Sequence, residues 1–318
     1  MSGFFGFGNS AGLEVSQGAL RAVGLKKSKG GLTLERHGEV VLPAGLLMDS
    51  FTEPNITDMP AFVDSLKRLM SDVRHRGKNV CVAVPDYVAR VSVLDFESYQ
   101  SKKDETERMI RWRLKKIIPF DLDQAELRYQ YLGRFSVKDK QQHRFLVSII
   151  KSEIMAQYET AFNEARLRPL SIAISSFAIW NLYHDQVLSG DGNTGDFAMM
   201  NIFGGRMTVM VFNKGLLHFF RFKDLGKLET QAGQERSLNI PAVLRELTAS
   251  LTFYRENYAD SPVGRVYISG DFEGLEGLAE EVGRNLPLSA SLLDLGKVVQ
   301  GGPGGLALSA ACGAAIGC

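Results

Sequence analysis

One order of elements occurs twice in this chain, and that duplication restricts its possible folds more than any single residue does. A strand near Gly12 to Val15, a turn at Ser16 to Gly18, a strand from Leu20 to Lys26 and a third from Leu32 to Leu42 read as a meander. Thr57 or Asp58 then caps an amphipathic helix in which Phe62, Leu66, Leu69 and Val73 share a face, and Val80 to Val84 reads as a buried strand. The second pass runs through a strand at Phe197 to Ile202, a turn at Phe203-Gly204-Gly205, and strands at Met207 to Phe212 and Leu216 to Phe222. A helix from Pro241 to Tyr258, with Pro241 suited to its first turn, leads to an apolar strand at Val266 to Ile268. Val80 follows Leu13 by the same 67 residues that separate Val266 from Met199. A shared pitch of this kind points to duplication.

The chain has 318 residues, enough for two lobes, and 45% of them are hydrophobic, enough to fill two cores. A net charge of +1 supplies no global field for nucleic acid, so no nucleic-acid partner is expected. Cys81, Cys312 and Cys318 form no CxxC pair, and their odd number argues against a disulfide framework or a zinc site; a reducing cytoplasm fits. The five histidines are dispersed, so no metal site is expected. The opening MSGFFGFGNS lacks the basic start of a secretory signal. The last 21 residues carry no charge, but their glycines and Pro303 leave too little apolar bulk for a membrane span. They predict a small-residue helix packed closely on the body, and no transmembrane segment is expected.

Three meandering strands, a helix and a strand, made twice around a cleft, is the plan of the α/β, actin-like (ribonuclease-H-like) two-lobe fold. Residues 1–86 form the first part of the first lobe, 169–190 its return, 195–300 the second lobe, and 301–318 a C-terminal helix packing back on the first lobe. Residues 87–168, with a charged helix at Lys102 to Ile117, read as an inserted subdomain whose placement resembles the bacterial actin relative FtsA.

The most specific stretch is RMIRWRLKKIIPFDLDQAELRYQYLG, residues 108 to 133, in which Pro119 breaks a helix and Phe120 anchors the exit. Along with VAVPD at 82–86, ARLRPLSIAISSFAIWN at 165–181, LRELTASLTFYRENY at 244–258 and VYISGD at 266–271, it resembles the PilM family of type IV pilus assembly proteins. The resemblance implies an actin-like protein at the cytoplasmic face of the inner membrane that binds the N-terminal peptide of PilN, a bitopic membrane protein. It also makes the pilus motor ATPase a candidate partner, and implies ATP with magnesium as the usual ligand.

The nucleotide positions carried over are Glu14, Ser16 and Gln17 in the first turn, Gly204, Gly205 and Thr208 in the second, and Glu246, Ser269 and Gly270 on the adenosine side. Several depart from the family pattern. Glu14 stands for Asp, Ser16 for Gly, Asn201 for Asp, and the bulky Phe203 stands where a small residue is usual. Ala173 and Ser175 replace the acid that would position water, and loss of such a group costs ~10²–10⁴-fold in rate. Weak or degenerate nucleotide binding and no catalytic residue are therefore expected.

By the same resemblance the partner-peptide groove lies between the first lobe and the insertion, with Val84, Pro85, Pro119, Phe120 and Leu122 as candidates. β-augmentation and an apolar pocket both fit as modes. Taken alone, Gly204-Gly205 reads as a hairpin turn, GGPGG at 301–305 as a linker, and the basic run Arg108, Arg111, Arg113, Lys115 and Lys116 as a solvated helix face. Trp180, Phe219, Phe220 and Phe222 read as core. The leading expectation is a pilus-platform adaptor. The alternatives are an ATP-cycling actin relative of the same machinery and a cytoplasmic module related to the type II secretion L-type protein.

Overall fold

The computed structural model describes residues 10–99, 102–137, 140–189, 195–226, 239–258, 262–271, 274–302 and 307–318. The opening residues 1–9 and most of the GGPGG stretch lie outside that set. The first-lobe meander is β1 (Ser10–Val15), β2 (Ala19–Ser28) and β3 (Gly31–Val41). Helix α1 (Met59–Asp72) begins at Asp58, whose carboxylate accepts the Ala61 N–H, and buries Phe62, Val63, Leu66 and Leu69. It crosses over to β4 (Asn79–Val84), which lies parallel to β1. The insertion follows as β5 (Ala89–Phe96), α2 (Lys103–Leu114), β6 (Ala125–Val137) and β7 (Lys140–Lys151), its strands ordered β5-β7-β6.

The segment 87–168 does not act as one unit. Helix α3 (Ser152–Glu164) places Ile154, Tyr158, Ala161 and Phe162 in the same core as α1 and β1, where Val91 and Ile150 of the insertion also join. Strand β8 (Arg168–Ile174) then pairs with β4, and α4 (Ser175–Ser189) leads to the second lobe.

That lobe repeats the plan with β9 (Phe197–Phe203), β10 (Arg206–Asn213), β11 (Leu216–Asp224), α5 (Ile240–Tyr258) and β12 (Arg265–Gly270). It continues with α6 (Leu275–Asn285) and β13 (Ser289–Leu292), whereas β14 (Val299–Gln300) returns to the edge of the first sheet beside β3. The sheets run β14-β3-β2-β1-β4-β8 and β11-β10-β9-β12-β13. The parallel pairing recurs with a one-residue offset: Val80 sits beside Ala11, two residues before Leu13, and Val266 beside Ala198, one residue before Met199.

The last helix, α7 (Ser309–Ile316), is buried along most of its length and packs on β1 and α4. Its lack of bulk is a packing requirement. A Cβ on Gly12 would come within 2.0 Å of the Ala311 carbonyl oxygen, and one on Gly313 within 1.8 Å of that of Ala178. This docking also brings together two cysteines 237 residues apart. Contrary to the expectation from spacing, Cys81 on β4 and Cys318 form a disulfide, with Cα atoms 5.7 Å apart; Cys312 stays free and buried. Among the described residues no helix is long and apolar enough to cross a membrane.

The insertion is tied to the second lobe by one buried cation. Arg144 on β7 donates two 2.7 Å bonds to Asp95 on β5 and a third, of 2.8 Å, to Nδ1 of His218 on β11. Its guanidinium also lies over the rings of Phe135 and Tyr258. Burial lowers the His218 pKa to about 4, and the neighbouring arginine adds to that, so the ring is neutral and Nδ1 can accept.

Candidate functional site

β1, β4 and β8 run parallel in one sheet, and β9 and β12 run parallel in the other. Their carboxyl ends deliver Glu14, Asp86, Ser176, Asn201 and Asp271 to the cleft between the lobes, the place where such sheets put their functional groups.

On the first-lobe side Glu14 is 1% exposed and lies opposite Arg21 in the ladder between β1 and β2. The two form an ion pair at 3.6 Å, and Arg21 also donates to Glu39 at 2.6 Å. Burial pushes the Glu14 carboxyl up to about 7, Arg21 opposes the shift, and Asp271 across the cleft adds to it. Ser16 spends both its N–H and its hydroxyl on the Ala19 carbonyl, at 2.9 and 2.8 Å. The first turn is therefore closed on itself.

On the second-lobe side Gly204 and Gly205 have φ of +57° and +79°, a two-residue hairpin that only glycine adopts without strain. The Gly204 N–H donates to Asp271 at 3.2 Å. Phe203 is half-buried against the core that α4 and α7 share with the second sheet. The Thr208 hydroxyl donates to Asp86 at 2.5 Å, and the Asn201 amide donates to the Ser176 hydroxyl at 2.9 Å. Ser176 in turn gives Asp86 its backbone N–H at 2.9 Å and its hydroxyl. One first-lobe carboxylate thus gathers donors from the start of α4 and from the opposite lobe, as a bound anion would. Burial raises the Asp86 pKa, and the bonds from Ser176 and Thr208 oppose that rise.

The cleft mouth is bridged as well. Arg206 pairs with Asp49 and donates to Gln17 Oε1 at 2.8 Å, while the Gln17 amide donates to Asp49 at 3.1 Å. Gln17 therefore meets the second lobe directly. Glu246 is drawn to Arg221 and Lys223, at 3.8 and 3.9 Å. Ser269 and Gly270 are buried at the end of β12, and the Ser269 hydroxyl has no hydrogen-bond partner among the described residues. The Asn201 carbonyl oxygen and one Glu14 oxygen are likewise buried without a hydrogen bond.

A cavity of about 350 Å³ opens beside this mouth, where the first lobe, the insertion and the second lobe meet. Phe51, Tyr87, Val91, Phe220 and Phe222 give it apolar walls, and Arg90 and Arg221 add charge. Phe220 and Phe222 pack against the first-lobe core as their sequence suggests, and being half-buried they also wall this cavity. Of the groove candidates, Val84 and Pro85 are buried at the end of β4, and Leu122 is buried in the core of the insertion with Ile110 and Leu114. Pro119 is exposed. Phe120 packs on Phe51 with ring centroids 5.1 Å apart, which puts it one residue away from the cavity.

Sequence reasoning missed Asp86, Arg21, Asp49, Ser176 and Arg206. Asp86 carried a legible signal, an acid one proline past the end of the apolar run Val80 to Val84. Arg206 carried one too, a cation closing a Gly-Gly hairpin.

Two duplicated lobes meeting at these strand ends define a protein of the actin-like ATPase fold. The chain belongs to the PilM family of type IV pilus assembly proteins, whose sequence profile matches residues 12–236. In fold it is similar to the structure of the PilM–PilN type IV pilus biogenesis complex, with a TM-score of 0.80 and 18% identity over 97% of this chain and 98% of that one. A Bacteroides thetaiotaomicron protein with actin-like ATPase fold and unknown function matches with a TM-score of 0.56 and 9% identity over 99% and 100%. The cytoplasmic domain of EpsL, an inner membrane component of the Vibrio cholerae type II secretion system, matches with a TM-score of 0.53 and 10% identity over 97% and 95%. No curated protein matches the sequence.

Proposed function

We propose that this chain is an adaptor at the cytoplasmic face of the inner membrane, in the type IV pilus assembly platform, and that it does not run a nucleotide cycle. It receives the N-terminal peptide of a PilN-type membrane protein in the cavity walled by Phe51, Tyr87, Val91, Phe220 and Phe222. That cavity carries the proposal. β5 is an edge strand of its sheet, and Ala89 to Val91 at its start line the cavity. An extended peptide laid along that edge would place alternate side chains among the aromatic walls, which joins β-augmentation to an apolar pocket. The pilus motor ATPase is the further partner of this reading. The functional units of this reading are the two lobes and the insertion, whose own sheet is β5-β7-β6.

ATP with magnesium does not fit the residues as they are arranged. The groups that would hold phosphate, namely Ser16, Gly204 and Thr208, donate instead to protein acceptors. Glu14, Asp86 and Asp271 set three carboxyl groups where a triphosphate would lie. Among the described residues no group of three His, Cys, Asp or Glu side chains is placed to hold a metal ion.

Retention of a synthetic PilN-type N-terminal peptide by the full chain tests the adaptor reading, with Val91→Glu expected to abolish it. Absence of retention up to millimolar peptide removes the proposal. The ATP-cycling reading draws on the buried acceptors of Glu14 and Asn201 that lack hydrogen bonds. Calorimetric titration with ATP and magnesium decides between the two: tight binding, with turnover abolished by Glu14→Ala, would favour the cycling reading.

A further inference from the structure

Helix α2 packs Thr106, Ile110 and Leu114 into the insertion. Helical spacing then turns Arg108 and Trp112 to the opposite side, and Lys115 and Lys116 follow, exposed, in the turn after the helix end. Trp112 is 67% exposed and Ile117, just past the helix end, is 48% exposed. Tryptophan seldom stands this far out on a protein surface with nothing covering it.

The charges around it are one-sided. From Arg108 to Phe120 the sequence holds five basic residues and no acidic one. Of the acids that precede this stretch, Glu107 pairs with Arg111 and Glu105 with Lys102, while Asp104 sits one turn before Arg108, which donates to its backbone carbonyl. Asp121 and Asp123 follow only after the Pro119 break, and the Asp121 carboxylate accepts the Asp123 N–H. Arg113, Lys115 and Lys116 form no ion pair among the described residues.

We infer that the outward face and end of α2, formed by Arg108, Trp112, Arg113, Lys115, Lys116 and Ile117, seats on an anionic lipid surface. Charge complementarity selects the occupant. The patch is a convex helix end, and its indole, aliphatic side chain and long basic stems suit the headgroup layer, where tryptophan rings settle and lysine and arginine meet lipid phosphate. Position supports the same side of the molecule. The chain runs from Ile117 through Pro119 to Phe120, which packs on Phe51 at the rim of the cavity described above. A patch resting on the bilayer would hold that cavity close to the membrane. This inference deepens the peripheral-membrane part of the proposed function, and it does not require a peptide partner.

Protein-free vesicles test it with the full chain. The chain should sediment with phosphatidylcholine vesicles containing about a third phosphatidylglycerol and stay in solution with phosphatidylcholine alone. Raising salt from about 0.05 to 0.5 M should release it. Lys115→Glu with Lys116→Glu should cut partition by about 10-fold or more, since each basic residue near such a surface contributes about 5-fold. Trp112→Ala should weaken it separately, and circular dichroism on these exposed-site variants should show the fold unchanged. In a Trp180→Phe background Trp112 is the sole tryptophan, and its emission should shift to the blue on anionic vesicles and be quenched by brominated lipid. Equal binding to neutral vesicles, no binding at all, or undiminished binding of the charge-reversed variant would overturn the inference. Capture by polyglutamate in place of vesicles would assign the patch to an acidic protein and overturn it equally. Peptide retention is measured without lipid, so failure of one reading leaves the other standing.

Discussion

Glu14 faces Arg21 across the first hairpin, and Asn201 faces Thr208 across the second. These two ladder pairs occupy equivalent positions in a duplicated fold, yet one is a buried ion pair and the other a neutral amide and hydroxyl. The charged pair is satisfied mostly within its own lobe, through Arg21 and Glu39. The neutral pair spends its donors on the other lobe, Thr208 on Asp86 and Asn201 on Ser176. Repeating a backbone therefore does not repeat its chemistry. The second lobe has become the donor half of a seam for which the first lobe supplies the acceptor. A third tie, from Arg144 in the insertion to His218, holds the second lobe from outside the cleft.

The largest effect should follow from removing the seam's acceptor. Asp86→Ala leaves the Ser176 and Thr208 donors buried without it, and should cost about 3–4 kcal/mol in urea unfolding monitored on both lobes. A loss under about 1 kcal/mol would mean that the second pair is not held to the first lobe through Asp86.

Next in size is the first pair's own charge. The folded pKa of Glu14 is raised from 4.5 to about 7, so the stability it contributes is complete below pH 4.5 and is lost as pH rises through 7. Glu14→Gln keeps the shape of the neutral acid. Its advantage over the parent should be absent near pH 4.5 and reach roughly 3 kcal/mol above pH 7. Chemical unfolding of both chains across that range measures it. A constant difference at all pH values would show that Arg21 keeps Glu14 ionised throughout and that the first pair is charged in the way its distance suggests.

Much of this fold could be read from the sequence because hydrophobic periodicity and turn residues specify it locally. The two meanders, α1 with its Asp58 cap and the Gly204-Gly205 hairpin all follow from neighbours in the chain. The cleft was less legible because its partners are distant: Asp86 meets Thr208 across 122 residues and Gln17 meets Arg206 across 189. Thr208 and Gln17 both lie at the cleft, but no spacing rule tells that their hydrogen bonds go to protein groups. The disulfide failed for the same reason. Cys81 and Cys318 become neighbours only once α7 has docked over Gly12. Phe220 and Phe222 look like core residues by composition, and their role as cavity walls depends on how three units converge.

The smallest effect should come from the mouth, and its size relative to Asp86→Ala sharpens the comparison most. Arg206 reaches from the second hairpin to Asp49 and Gln17, so Arg206→Ala removes the side-chain bond that joins the two turns. Both partners keep some access to water, and an ion pair at that depth is partly replaced by solvation when it is lost. The expected cost is about 1–2 kcal/mol, with faster hydrogen exchange at the Gly204–Arg206 hairpin and little change in the strands behind it. If Arg206→Ala instead matched Asp86→Ala in cost and loosened the whole second lobe, the lobes would be held at their rim, and the buried seam of Asp86, Ser176 and Thr208 would be a consequence of closure and not its cause.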